Sequence, residues 1–235
     1  MAFLSGLQNR ERIPELMDDP ALDPVEHRYA LEGLARINRF SGSIAFLWPT
    51  IRNLARKLKR PVRVLDVATG SGDVPAGLLA KAARAGLELE VAGCDISATA
   101  IASAKASCQG IWFFVHDAIR EPLPAGFDVV TCSLFLHHLS GEDAVLLLGR
   151  MKEATNRFVL VNDLARSRFN FLSVSMACRV LTRSRVVRFD GPASVRSAFT
   201  PAEALALAER AGLTQATIRT RFPCRFLLSW CRGSC

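Results

Sequence analysis

The sequence lacks several features that would place it in other classes of protein. No apolar stretch reaches the roughly 18 uninterrupted residues that a membrane span requires. The first residues, MAFLSGLQNRER, place apolar residues before charged ones, which is the reverse of the order in a secretory signal. The seven cysteines form no CxxC pair, so we expect buried, reduced thiols rather than disulfides or a zinc site. These absences predict a cytoplasmic protein, with peripheral contact to a membrane left open.

The positive charge of the chain is unevenly distributed. There are 30 Lys and Arg residues against 22 Asp and Glu, a net charge of +8. Between Leu164 and Ala198 there are seven arginines, and Asp190 is the only acid. Such a basic segment suits nucleic acid, an anionic membrane surface, an acidic carrier protein or an acidic substrate, and it can equally be a solvated face.

From Pro61 onward, short apolar runs alternate with helical patterns. We predict strands over 61–68, 87–96, 111–118, 127–135, 157–164, 214–222 and 224–232. Strands separated by helices of 10–15 residues indicate crossover units and a doubly wound, mostly parallel α/β sheet. The last two strands are so close in sequence that they predict a hairpin, which makes one of the seven strands antiparallel.

Two segments lie outside this alternation. Residues 1–60 are predicted to form a helical N-terminal cap or lid, and residues 61–235 the core. Within the core, residues 164–198 separate the fifth strand from the final helix and are predicted to be a substrate-side insertion. Because ligands bind beyond the carboxyl ends of parallel strands, either segment can cover that edge of the sheet.

The segment VLDVATGSGDVP, Val64–Pro75, is typical of a nucleotide-binding strand, glycine turn and helix. A P-loop is excluded, because no lysine occurs in the turn before Lys81. A dinucleotide fingerprint would have Gly or Ala where Pro75 stands, and Asp66 and Asp73 would repel a pyrophosphate. NAD is therefore disfavoured.

The stretch LDVATGSGDVP resembles the acid-x-Gly-x-Gly-x-Gly motif of class I S-adenosylmethionine-dependent methyltransferases, with Ala68 in place of the first glycine. The resemblance implies a Rossmann-like fold and S-adenosylmethionine as the cofactor, whose ammonium and sulfonium groups carboxylates attract. It continues at Asp95 in VAGCDIS, where the family binds the ribose hydroxyls. It also includes Asp117 in FVHDA, where the family binds the adenine amino group, and the backbone of Ala118 next to it. The residues thus implied in cofactor binding are Asp66, Ala68, Thr69, Gly70, Gly72, Asp95, Ile96, Asp117, Ala118 and Ser133.

The segment after the fourth strand bears on the methyl acceptor. FDVVTCSLFLHHL resembles family members that methylate small molecules and quinones. It lacks the Asn/Asp-Pro-Pro-aromatic sequence of enzymes that methylate amines of nucleic acids. The only Pro-Cys, Pro223-Cys224, falls in the final hairpin rather than in the position used for cytosine methylation. Nucleic acid is therefore disfavoured as a partner despite the basic charge.

His137 and His138 follow the fourth strand, on the edge where the acceptor would bind. An imidazole titrates near neutral pH, so either could deprotonate a phenol, and we prefer His138 as the catalytic base. The alternative is that these histidines only cap or pack. We expect no metal.

The two lid segments resemble those of bacterial O-methyltransferases of polyketide and aromatic secondary metabolism. Phe40, Trp48, Arg183 and Arg188 are the predicted substrate-binding residues, since an aromatic pocket with arginines suits a phenol or quinol. We predict O-methylation of a small aromatic molecule. Alternatives are C-methylation of a membrane-borne quinone or lipid-like ring, and a non-catalytic adaptor that binds S-adenosylmethionine or RNA. A homodimer remains open.

Overall fold

The computed structural model describes residues 7–18, 21–23, 25–26, 29–30, 42–222 and 224–233. Within them lies one sheet of seven strands: β1 (Val62–Val67), β2 (Leu89–Asp95), β3 (Trp112–Val115), β4 (Phe127–Ser133), β5 (Thr155–Leu164), β6 (Thr217–Arg221) and β7 (Arg225–Cys231). The strand order is β3-β2-β1-β4-β5-β7-β6. Strands β1 to β5 are parallel, and β7 runs antiparallel to both β5 and β6. The predicted fold class is confirmed, including the antiparallel last strand.

The helices of the described residues are α1 (Ser43–Lys57), α2 (Asp73–Arg84), α3 (Ala98–Ser107), α4 (Gly141–Ala154), α5 (Arg168–Leu181), α6 (Arg185–Ser197) and α7 (Pro201–Arg210). Two predicted helix starts are confirmed. Ser97 accepts a hydrogen bond from the backbone N–H of Ala100, and Thr200 and Glu203 form a reciprocal capping box before Pro201. These caps fix where α3 and α7 leave the sheet.

Apolar clusters cover both faces of the sheet. On one face, α4 and α7 pack Leu147, Met151 and Leu207 against β4 and β5. On the other face, α1 and α2 pack Ile51 and Leu78 against the sheet. Helix α1 falls within the segment assigned to the cap, yet it lies in the core. Strands β1 and β4 are accordingly buried at every position except Arg63 and Ser133.

The N-terminal residues 7–17 lie across α6 and the loop after β5. Buried Arg166 donates to the carbonyl oxygens of Leu7 and Gln8, at 2.7 and 3.0 Å. The carboxylate of Asp190 on α6 accepts the backbone N–H groups of Leu16 and Met17. We call residues 7–17 the N-terminal strap; the assignment of residues 1–60 as a cap stays a prediction.

The cysteines only partly follow the expectation. Five are free thiols: Cys94, Cys108, Cys132, Cys178 and Cys224. Cys231, at the end of β7, is disulfide-bonded, so the prediction of reduced thiols is wrong at this position. No helix in the described part of the chain is both long and apolar enough to cross a bilayer.

Candidate active site

The loop after β1 needs left-handed backbone at three positions. Ala68, Gly70 and Gly72 have φ angles of 55°, 55° and 83°. A Cβ on Gly72 would lie 2.7 Å from the ring of buried Phe113, so this position requires glycine. A Cβ on Gly70 would meet no atom within 4 Å, so this side of the loop is open to a ligand. Ala68 takes the same conformation with a side chain, at a cost of about 1 kcal/mol.

Asp66, at the end of β1, is buried and fixes the base of this loop. Its carboxylate accepts the hydroxyl of Thr69 at 2.9 Å and that of Thr131, on β4, at 2.6 Å. Burial raises the pKa of Asp66 to about 6, although both hydroxyls favour its charged form. Thr69 therefore acts as a partner of Asp66, and the pair holds a negative charge beneath the loop at neutral pH.

Asp95 ties the same loop to the end of β2. One carboxylate oxygen accepts the backbone N–H of Gly70 at 2.9 Å, and the other accepts that of Ser97 at 2.9 Å. Each oxygen retains a lone pair, so the carboxylate can also accept hydrogen bonds from a diol. Beside it, Ile96 is 64% exposed. The exposed side chain of Ile96 is suited to pack against a flat ring. The remaining lone pairs of Asp95 are suited to accept hydrogen bonds from a sugar joined to that ring.

Asp117 follows β3 and organises the next turn. Its Oδ1 accepts the backbone N–H groups of Ile119 and Arg120, at 2.9 and 3.0 Å. The pKa of Asp117 is lowered, chiefly because its carboxylate accepts the backbone hydrogen bond from Arg120. Ala118 is buried beneath this turn. Next to them, Nε2 of His116 is buried and has no hydrogen-bond partner among the described residues.

Further buried polar atoms lack partners at the carboxyl ends of β4 and β5. Ser133 and Asn162 pair in register. Within the described chain, Ser133 Oγ and Asn162 Oδ1 have no hydrogen-bond partner. Buried polar atoms are normally satisfied. Together with the open face of Gly70, they fit a polar cofactor lying along this edge, as the resemblance implies. We call the edge after β1, β2 and β3, together with Ser133 and Asn162, the cofactor side.

His137 lies in a short 3₁₀ turn, Leu136–His138, after β4. Its Nδ1 is 2.7 Å from Asp163 Oδ1, and its backbone N–H donates to the other oxygen of Asp163. Its Nε2 is 3.7 Å from Glu15 Oε1 on the N-terminal strap. Burial alone would lower the pKa of His137, but the carboxylates of Asp163 and Glu15 raise it to about 9. A buried imidazolium between two carboxylates favours a positioning role over that of a base.

His138 occupies a different environment one residue later. Its side chain is 32% exposed, and its Nε2 lies 4.0 Å from Glu15 Oε1. The pKa of Glu15 is lowered: burial opposes its ionisation, but a hydrogen bond to His137 and the charge of His138 outweigh this. Glu15 is held in place by the hydroxyl of Ser194 at 2.5 Å. The ring of His138 is therefore accessible and has an ionised carboxylate beside it.

Glu15, His137 and His138 bring three metal-ligand atoms within 4.8 Å of one another. The two imidazole rings, however, lie partly face to face, with centroids 4.2 Å apart and planes inclined by 35°. Nδ1 of His137 is already engaged by Asp163, and its Nε2 faces Glu15. The arrangement is that of a hydrogen-bonded ion cluster, and the expectation of no metal stays a prediction.

A pocket of about 500 Å³ opens at this cluster. It is lined by Arg12, Ile13, Pro14, Glu15, His137, His138 and Ser197. One wall is the N-terminal strap, which Arg10 anchors by donating to the carbonyl oxygens of His137, Leu139 and Ser197. We call the edge after β4 and β5, with this pocket, the acceptor side.

Among the described residues that line this pocket, none is a predicted substrate residue. Phe40 lies outside the described residues. Trp48 packs with the apolar cluster of α1 and α2. Arg188 donates to the carbonyl oxygens of Thr182 and Arg179, closing the end of α5, and Arg183 is exposed. No contact among the described residues supports a substrate role for Trp48, Arg183 or Arg188, which stays a prediction.

Sequence reasoning missed Glu15, Asp163 and Arg10. Asp163 carries a usable signal, because it ends a buried parallel strand next to β4. Glu15 and Arg10 carry none, because each reaches the histidine turn across more than a hundred residues of chain.

Residues 64–157 match the family model described as a methyltransferase domain. A curated relative, the demethylmenaquinone methyltransferase of Thermus thermophilus, is 37% identical over 109 residues, which cover 44% of this chain and 48% of the relative. The match thus spans about half the length of that relative.

Solved structures show the same fold. The plantazolicin methyltransferase BpumL, in complex with a triazolic desmethylPZN analog and SAH, superposes with a TM-score of 0.68 at 15% identity, covering 89% of this chain and 91% of that one. The magnesium protoporphyrin IX methyltransferase of Synechocystis, with bound SAH, has a TM-score of 0.55 at 18% identity over 92% and 90% of the two chains.

Proposed function

We propose that this chain uses S-adenosylmethionine as its cofactor and transfers a methyl group to a hydroxyl of a small aromatic molecule, a proposal supported by the match of residues 64–157 to a methyltransferase domain. The observation that carries this proposal is the accessible His138 in the pocket beside the end of β4. A phenol must lose a proton to become a strong nucleophile, and an imidazole is suited to remove it.

The residues of the cofactor side bind S-adenosylmethionine and orient it. In this proposal Asp95 accepts hydrogen bonds from the ribose hydroxyls, and the ionised Asp66 attracts the cationic end of the ligand from beneath the loop. S-adenosylmethionine supplies an electrophilic methyl group. Gly70 lets the backbone approach the ligand closely, because no side chain intervenes. Orientation of this kind provides much of the rate in an in-line displacement.

The residues of the acceptor side handle the proton. His138 would take the hydroxyl proton while the bond between the methyl carbon and the sulfonium sulfur breaks and the methyl group passes to the oxygen, with S-adenosylhomocysteine as the leaving group. Glu15, 4.0 Å from its Nε2, stabilises the resulting imidazolium electrostatically. His137 holds Glu15 on one side while Asp163 holds His137 on the other. In this scheme His138 is the catalytic residue, and His137 is a positioning residue.

The test is turnover of an acceptor panel with methyl-labelled S-adenosylmethionine. The panel contains phenols, quinols, amines and carboxylic acids, and catechols with and without an alkyl chain provide matched pairs. We expect label on the phenols. Labelling of an amine or carboxylic acid in the absence of any labelled phenol would contradict the proposal. Cofactor binding with no acceptor turned over would favour the adaptor alternative.

A second candidate is C-methylation of a quinol-type ring. The specific observation that favours it is the similarity to a demethylmenaquinone methyltransferase. The same base would serve, since a hydroxylated ring must also lose a proton for its carbon to attack. A ¹³C-labelled methyl group separates the two candidates, because carbon-bound and oxygen-bound methyl groups differ strongly in NMR shift.

A further inference from the structure

Helix α5 is apolar on two opposite faces. Cys178 and Val174 pack on α6 in a cluster with Val186 and Val187. The other face carries Phe169, Leu172, Met176 and Val180, which are 67%, 54%, 66% and 76% exposed. At about 100° per residue, this second stripe lies roughly opposite the first. An exposed, contiguous apolar stripe is typical of a surface that contacts a membrane or a partner, so this second stripe is suited to an apolar medium.

The apolar stripe continues beyond the helix. Phe222, at the tip of the β6–β7 hairpin, is 85% exposed. The next described residue of that hairpin, Cys224, lies beside α5, with its Sγ 4.0 Å from the carbonyl oxygen of Asn170. Phe222 thus belongs to the tip of a hairpin that lies beside the start of α5, where Phe169 is also exposed. We call the stripe and Phe222 the outer face.

The charges around the outer face are positive. Arg168 and Arg179 are exposed on α5, and Arg183 is exposed just after it. Within 164–198 the only acid is Asp190, which is buried and bonded to the N-terminal strap. A second copy of the chain packed on this face would bring arginines against arginines. An anionic lipid surface instead supplies both the apolar medium and the opposite charge.

We propose that the outer face docks on an anionic lipid bilayer, with Phe169, Leu172, Met176 and Phe222 in the interface and the arginines at the headgroups. Helix α5 follows β5, and α6 supplies Ser197 to the pocket. Docking would thus bring the acceptor side close to the lipid. That the acceptor is an amphiphilic ring taken from the membrane rests on the proposed function; the docking itself does not.

The test is co-sedimentation of the full chain with vesicles of phosphatidylglycerol or of phosphatidylcholine. We expect the protein to bind the anionic vesicles and to bind the neutral ones more weakly by about tenfold or more. Binding to the anionic vesicles should fall as salt is added. The variant Phe169→Asp with Met176→Asp should lose this binding. Leu146→Asp, at a 50% exposed apolar position on α4, is the matched control and should retain it.

Three results would overturn the proposal: no binding to anionic vesicles, equal loss in the Leu146 control, or a dimer that the Phe169/Met176 variant dissociates while vesicle binding persists. Circular dichroism and thermal melting confirm that the variants fold. Because sedimentation is measured without acceptor or turnover, failure of docking is distinguishable from failure of methyl transfer.

Discussion

Asp66 and Asp163 are equally buried, at 1% exposure each, and lie on the cofactor and acceptor sides of the same cleft. The pKa of Asp66 is raised to about 6, because its partners are neutral hydroxyls that offset only part of the burial. The pKa of Asp163 is lowered, because the imidazolium of His137 outweighs burial. The chemistry of the partner therefore decides whether an equally buried carboxylate is stabilised in its charged form.

The two sides also differ in how far along the chain their contacts reach. On the cofactor side, Asp66 bonds to Thr69 three residues away and to Thr131 across 65 residues, and Asp95 bonds to Gly70 across 25 residues. On the acceptor side, Arg10 reaches the carbonyl oxygens of His137 and Leu139 across 127 and 129 residues. The first side is thus assembled largely within crossover units, and the second depends on the N-terminal strap.

The largest expected effect comes from removing the counter-charge of Asp163. His137→Leu leaves a buried carboxylate without its imidazolium and should lower the free energy of unfolding by about 3–5 kcal/mol. Urea denaturation at neutral pH measures it. The double variant His137→Gln with Asp163→Asn is the control, because it removes both charges and keeps hydrogen-bonding groups; it should lose much less. A loss below about 1 kcal/mol in His137→Leu would contradict the ion-pair account.

The same ion cluster predicts a pH dependence of stability. The folded-state pKa of His137 is about 9, above the ordinary value of 6.5. Its contribution is therefore fully present below pH 6.5 and is lost as pH rises through 9, a change on the order of 3 kcal/mol. Denaturation curves across that range should show the decline, and His137→Gln should flatten it. Stability that rises over this window would contradict the assignment.

The cofactor side offers a matched pair of glycine substitutions. Gly72→Ala places a methyl group 2.7 Å from Phe113 at a φ of 83°, so we expect a loss of about 2–3 kcal/mol in the free energy of unfolding. Gly70→Ala meets no atom and should lose only about 1 kcal/mol through backbone strain. Calorimetric titration should nevertheless show weaker cofactor binding in Gly70→Ala. Equal destabilisation by both would mean that packing on Phe113 does not define this loop.

The smallest effect is expected at Asp66. Its raised pKa means that the contribution of this group is present below pH 3.8 and is lost as pH rises through about 6. Asp66→Asn avoids burying a charge and should raise the free energy of unfolding at neutral pH by about 1 kcal/mol. Its affinity for S-adenosylmethionine should fall. A variant that is destabilised and keeps its affinity for S-adenosylmethionine would contradict the role in cofactor binding given to this carboxylate.

The difference between the two sides also explains what the sequence could predict. The strand-glycine-helix pattern around Gly70 lies in local sequence, so the fold could be predicted without coordinates, whereas the cofactor roles of the acids after β2 and β3 come from the family resemblance and stay predictions. The substrate role of Trp48 also stays a prediction; its side chain is partly buried against the apolar cluster of α1 and α2. Glu15 could not be found, because nothing in its local sequence indicates contact with a histidine 122 residues away.

The most direct test of the account is one pair of measurements on His138→Ala: the dissociation constant of S-adenosylmethionine and the turnover of a phenol that the wild-type protein methylates. Asp95→Ala is the matched variant on the cofactor side. The account predicts that His138→Ala keeps its cofactor affinity within about twofold while turnover falls by about 10²-fold or more, and that Asp95→Ala loses affinity first. Unchanged turnover in His138→Ala would contradict the assignment of the base.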